Sequence, residues 1–398
     1  MVPHLRKQFN STFTEKRYQQ LLRTLDDRCG MHVEFRVSET PVFLPRNLVE
    51  TMVTAGEEII QQVISNATYL TESDRSIPHA YLVPNEPPHP MFVAVDFGIT
   101  KSTDGLYTPM LIEMQGFPSL FAFQPTLSEL YRQVYGLPND LQWFLSGLST
   151  EEYAKAFRTA VLSYHAPENV VLLELDPEKQ KTRPDFLLTE KLCGIRTVNI
   201  REIVIQGSHM FYRHAGQLIP IYRVYNRAIA DELERVDAEL PFSFRDDIHV
   251  EWAGHPNWFF RLSKFSLPYV KHPHVPDSKF LSDVQTVPDD LDQWVLKPLF
   301  SFAGSGVKVG PTKADIDAIV GDNRLNFMLQ RRIDYGSFVD TPHGGTKAEV
   351  RILYIWLDHL TAVSNLVRMG RGTMMGVGFN KDVPWVGSSA GLFPLAGE

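Results

Sequence analysis

Cysteine is almost missing from this chain. Cys29 and Cys193 are the only two in 398 residues, and they form no Cys-x-x-Cys pair, so neither a disulfide framework nor a cysteine zinc site is implied. A reducing, cytoplasmic setting is the simplest reading. Long apolar runs are missing too: no stretch approaches the roughly 20 apolar residues that span a bilayer, and the start MVPHLRKQFNSTFTEKRYQQ lacks an apolar signal core. Nor is there a surplus of positive charge. With 39 Lys and Arg against 47 Asp and Glu, the net charge of -8 excludes a global attraction for nucleic acid or anionic membrane. A local basic cleft for phosphate stays open. The chain also has no Walker A loop, no Gly-x-Gly-x-x-Gly, no Gly-x-Ser-x-Gly and no His-Glu-x-x-His, so nucleophilic hydrolysis and zinc chemistry have no support.

What remains is an ordinary globular composition, 43% hydrophobic and 22% charged, in a chain long enough for two or three lobes. Early in the chain, NLVETMVTAGEEIIQQVISNATYL has helical spacing with Asn47 as its cap. VAVDFGITKSTDGLYTPMLIEMQGFPSL (93–120) follows as a hairpin, its turn at Ser-Thr-Asp-Gly. It delivers two carboxylates, Asp96 and Glu113, to neighbouring strands, as a divalent-metal site would need. A pair of solvated strand ends is the plain alternative. LSELYRQVYG and STEEYAKAFRTAVLSYHA read as helices, and from Asn169 short β-rich runs alternate with helix, as in small α/β domains.

The last third carries the phosphate chemistry. In QWVLKPLFSFAGSGVKVGPTKADIDAI, Lys297 lies inside an apolar strand, where an ammonium is costly unless an anion or a cleft receives it. Gly304 and Gly306 in the following turn let backbone N–H groups approach a phosphate, and Thr312 caps the next helix. A hairpin with a snorkelling lysine fits these residues equally well. Lys264 precedes a short helix, NFMLQRRID is a strand able to hold an adenine edge near Gln330, and KAEVRILYIW with TAVSNLVRMGRG carries Glu349, Arg351 and Arg368. Two lysines and two strand-borne arginines supply four positive charges for a triphosphate and a phosphoryl group in transfer.

In this order the elements resemble the ATP-grasp superfamily: Lys264 before a helix, Lys297 in a V-x-K-P strand with Gly304 and Gly306, a hinge strand 328–333, and two arginine strands leading to GVGFNKD with Asn380. The family's closing segment, a strand ending in Asp and one ending in E-x-N-x-x-P-G, has its match at the other end of the chain, in Asp96 and in EMQGFP from Glu113. The chain therefore resembles circularly permuted ATP-grasp proteins, relatives of glutathionylspermidine synthase-like ligases. The resemblance implies an α/β (α+β) ATP-grasp fold made of residues 1–149 and 246–398, with a small pre-ATP-grasp domain at 150–245. It further implies ATP as cosubstrate, held by Lys264, Lys297, Gly304, Gly306, Gln330, Glu349 and Asn380. Mg²⁺ or Mn²⁺ would lie on Asp96, Glu113 and Gln115, the last replacing the usual asparagine, with Arg351 and Arg368 as catalytic residues. The activity implied is an ADP-forming carboxylate-amine or carboxylate-thiol ligase using an acyl phosphate. A phosphotransferase and a non-catalytic ATP-binding protein are the alternatives, and monomer and homodimer both stay open. Two weaker signals are Arg223 and Arg227, which read as carboxylate binders or as ion-pair partners of the following DELE, and His249 with Glu251, which share a strand face as metal ligands would.

Overall fold

The computed structural model describes residues 1–101, 105–299, 306–372, 375–376, 380 and 382–395. It is a mixed α/β structure whose largest element is a six-stranded sheet. Its strands run in the order Gly387–Ser389, Leu360–Gly370, Gly344–Trp356, Phe92–Lys101, Tyr107–Gln115, with Val339–Thr341 pairing Gly344–Trp356 at one end. All these pairings are antiparallel. Segments from the two ends of the sequence thus share one sheet.

Strand alternation divides this sheet into two chemically different faces. Val93, Val95 and Phe97 lie opposite Tyr354, Ile352 and Val350 on the first face. Helix Arg46–Ile64 covers it, and Tyr354 donates its hydroxyl to the Val53 carbonyl at 3.0 Å. Helix and sheet come so close that a Cβ on Gly56 would lie 2.0 Å from the Tyr354 hydroxyl. The helix starts earlier and stops earlier than its pattern suggests. Pro45 is its N-cap residue, so Asn47 lies in the first turn and its side chain accepts from the adjacent Leu48 N–H, while Asn66 caps a separate helix, Ala67–Ser73. On the opposite face the register lines up Asp96 with Arg351, Gly98 with Glu349, and Glu349 with Arg368.

A second, smaller antiparallel sheet takes Ser278–Phe280, Phe327–Arg331, Trp294–Pro298 and Lys308–Val309 in that order. Trp294, Leu296 and Leu329 turn into a local apolar core with Leu281 and Ile316. By alternation, Lys297 and Gln330 lie on the other side. The helix after it begins as expected: Thr312 and Asp315 form a reciprocal capping box. A four-stranded parallel sheet, Glu251–Ala253, Arg223–Asn226, Val170–Glu174 and Arg196–Asn199, has its own core around Val171, Leu173 and Val224. Among the described residues no helix is long and apolar enough to cross a membrane.

Candidate functional site

The polar face of the large sheet carries a row of charges placed there by cross-strand register. Arg351 grips Asp96 with two parallel hydrogen bonds, Nε to Oδ1 at 2.5 Å and NH2 to Oδ2 at 2.7 Å. Arg368 reaches the same carboxylate at 2.5 Å and Glu349 at 3.0 Å. Asp96 is 1% exposed. Burial alone would raise its pKa, but the two guanidiniums hold it below the usual carboxylate range. Burial pushes the Glu349 carboxyl up, with Arg368 and the Tyr335 hydroxyl, which donates to it at 2.5 Å, opposing the shift. Gly98 makes room for Tyr335: a Cβ there would come within 2.8 Å of the ring. Tyr335 was not foreseen from sequence, and the glycine between two β-branched-rich runs was its one available sign.

The two lysines come from other elements. Lys297 in the smaller sheet is buried, and its Nζ donates to Gln330 Oε1 at 2.5 Å. Gln330, itself buried, passes a further hydrogen bond to Ser278 Oγ at 3.2 Å. Burial lowers the Lys297 ammonium to about 8, with Glu113 pulling it up and Lys264 pushing it down. Lys264, in the short helix Lys264–Tyr269, is also buried and lowered by burial, with Glu113 and then Asp231 opposing. Electrostatically, Glu113 is therefore common to both lysines. It lies directly beside Gln115, whose amide donates to it at 2.7 Å.

Glu113, Gln115 and Lys264 line a cavity of about 550 Å³. Phe117, Phe259 and Phe260 give it an apolar wall, and Asp231 and Glu234 approach from helix Ala230–Arg235. Burial, then Glu234, pushes the Asp231 carboxyl up to about 6. That helix reads as merely amphipathic in the sequence, so its cavity-lining acids were missed.

The other expected residues are placed as follows. Gly306 has a left-handed φ of 70° beside Pro298, whereas Gly304 and Asp104 lie outside the described residues. Asn380 is buried, accepting from Arg371 N–H at 3.3 Å and donating to the Gly376 carbonyl at 3.1 Å. Arg223 pairs with Glu251 at 2.6 Å and donates to the Val161 and Ala160 carbonyls, while Arg227 donates to the Pro118 carbonyl. Neither forms an ion pair with DELE. Glu251 is taken by Arg223 and by Tyr164 at 2.6 Å, and His249 meets Ser208 instead. No cluster of three metal-ligating His, Cys, Asp or Glu occurs among the described residues.

No protein-family model matches the chain, and no curated protein matches it. Among solved structures, the chain is similar to a glutathione synthetase-like effector from Globodera pallida in its apo form. The two share 11% identity and a TM-score of 0.59, over 97% of this chain and 99% of that one. At that identity the likeness assigns a glutathione synthetase-like fold and leaves activity to be argued from the site.

Proposed function

We propose that the chain is an ATP-dependent, ADP-forming carboxylate-amine or carboxylate-thiol ligase, built as a circularly permuted ATP-grasp protein. The observation that carries the reading is the meeting of Lys264 and Lys297, both buried, with the charged face of a sheet assembled from residues 92–115 and 344–370. Two buried ammonium groups near one another are unfavourable unless an anion joins them. Glu113 supplies one negative charge to both, and a nucleotide polyphosphate between the two sheets would supply the rest. Lys297 would then exchange its neutral amide partner for a phosphate oxygen, an acceptor that carries charge of the opposite sign. The sheet pairing of the chain's two ends also supports the permuted order.

The cavity beside Lys264 and Glu113 receives the acceptor. Its apolar wall and the Asp231–Glu234 pair suit an amine with an apolar part, the ammonium resting against the carboxylates. The residues fit a Mg²⁺ ion poorly: Glu113 and Gln115 offer oxygen donors, but both oxygens of Asp96 are already used by guanidiniums. No step is therefore assigned to a cation. On this chain's own residues, the lysines hold the phosphates and the arginines, fixed on the sheet, supply positive field to the phosphoryl group in transfer.

The test is a reaction with ATP, a pool of small carboxylic acids and hydroxylamine, which traps an acyl phosphate. The reading predicts a hydroxamate formed together with ADP. AMP and pyrophosphate would contradict it, and a phosphorylated product that survives hydroxylamine would point to a phosphotransferase. Saturable ATP binding without turnover would favour a non-catalytic binder, a reading that the occupied Asp96 specifically supports.

A further inference from the structure

Asp96 and Glu113 face each other across neighbouring strands, yet they stand in different surroundings. The pairing of Phe92–Lys101 with Tyr107–Gln115 is irregular between Asp96 and Phe97, a local kink of the kind that re-aims a side chain. Asp96 is on the arginine side of that kink, with Oδ1 accepting from Arg351 and Oδ2 accepting from both Arg351 and Arg368. It does not line the cavity, whereas Glu113 and Gln115 do. A divalent cation bound to Asp96 would need an oxygen lone pair at roughly 2.1 Å, within a few ångströms of two guanidiniums. Like charges at that range in a buried site strongly oppose binding.

We propose that Asp96 is a positioning residue, the fixed counter-anion that holds Arg351 and Arg368 against the sheet, and that Glu113 with Gln115 alone faces any divalent cation entering the cavity. This deepens the ligase reading of the same site and rests on it only for the identity of the nucleotide. Glu113 accepts one amide hydrogen bond, is a partly exposed residue on the cavity wall, and feels Lys264 and Lys297 through space without the bidentate guanidinium grip that closes Asp96. Asp96 is available only if an arginine leaves.

The experiment is Mn²⁺ titration of the full chain, without nucleotide, followed by electron paramagnetic resonance. Glu113→Gln is expected to lower Mn²⁺ affinity at least about tenfold. Asp96→Asn is expected to leave it within about twofold while melting at least about 5 °C lower, because the buried Arg351 loses its anion and Arg368 keeps only Glu349. Arg351→Met is the decisive variant. It frees an Asp96 oxygen and removes a repelling charge, so Mn²⁺ affinity should rise at least about fivefold, with a changed spectrum as a second carboxylate enters the coordination shell. That gain decides the matter even if Asp96→Asn does not fold or the wild type binds too little Mn²⁺ to measure. An Arg351→Met affinity equal to or below that of the wild type, or an Asp96→Asn loss as large as that of Glu113→Gln, would overturn the proposal. Absence of ATP binding by the wild type would sink the ligase reading and leave these metal results interpretable.

Discussion

Lys297 lies in a strand whose neighbours are apolar, and its hydrogen-bond partner is a neutral amide. Glu113 and Glu349 act on it only through space, so an arriving phosphate would be its first hydrogen-bonded anion, and Lys297→Ala is expected to weaken ATP binding by on the order of 2 kcal/mol, measured by calorimetry. Affinity equal to the wild type would make the lysine structural. Its value of about 8, against an ordinary 10.5, also sets a pH window. Below about 8 the ammonium is charged and ATP affinity should be level; above it the proton leaves and affinity should fall. The stability contribution has the opposite sign. Between about 8 and 10.5 the folded chain binds fewer protons than the unfolded chain, so this group makes folding more favourable as pH rises. ATP affinity that stays level from about pH 7 to 10 would contradict the assignment. The unusual placing of Lys297 was legible in sequence because a charge inside an apolar strand is conspicuous, whereas Lys264 showed only as a lysine before a short helix and its burial did not. The engagement of Asp96 was not, since its partner Arg351 lies 255 positions away and only strand register brings them together.

Two glycines control how the elements meet around the site. Gly116, directly after the Glu113–Gln115 strand end, packs so tightly that a Cβ would lie 2.3 Å from the Trp258 carbonyl oxygen, a backbone atom of helix Pro256–Arg261. Gly116→Ala must therefore shift one element, and a loss of about 1–3 kcal/mol in denaturant unfolding is expected. Gly98 meets side chains instead, the Tyr335 ring and the Ile112 methyl end. Gly98→Ala should cost less stability but displace the Tyr335 hydroxyl from Glu349, so it should disturb ATP binding more than folding. Equal stability losses in the two variants would refute this contrast. The helices and the hairpin could be read from periodicity and turn residues, and the Thr312 cap from its Thr-x-x-Asp spacing. The break of helix Arg46–Ile64 at Ser65–Asn66 was missed because the apolar spacing runs on through it, while Asn66 starts a new cap.

At the scale of the molecule, residues 344–370 find sheet partners in residues 92–101, and Val42 pairs in parallel with Gly391. A fragment of residues 246–398 should consequently lack stable structure by circular dichroism and regain it when mixed with residues 1–245. A fragment folded alone would contradict the dependence. The proposed permuted order rests on the sequence order of the motif residues, whereas the sharing of one sheet by residues 92–115 and 344–370 is a matter of pairing between distant strands that no local pattern encodes. The most direct test of the whole account is hydrogen exchange measured with and without ATP. A nucleotide between the two sheets predicts slowed exchange in Trp294–Pro298, Phe327–Arg331 and Tyr107–Gln115, with the parallel-sheet strands Val170–Glu174 and Arg223–Asn226 unchanged. No change at saturating ATP, or protection confined to the parallel sheet, would contradict it.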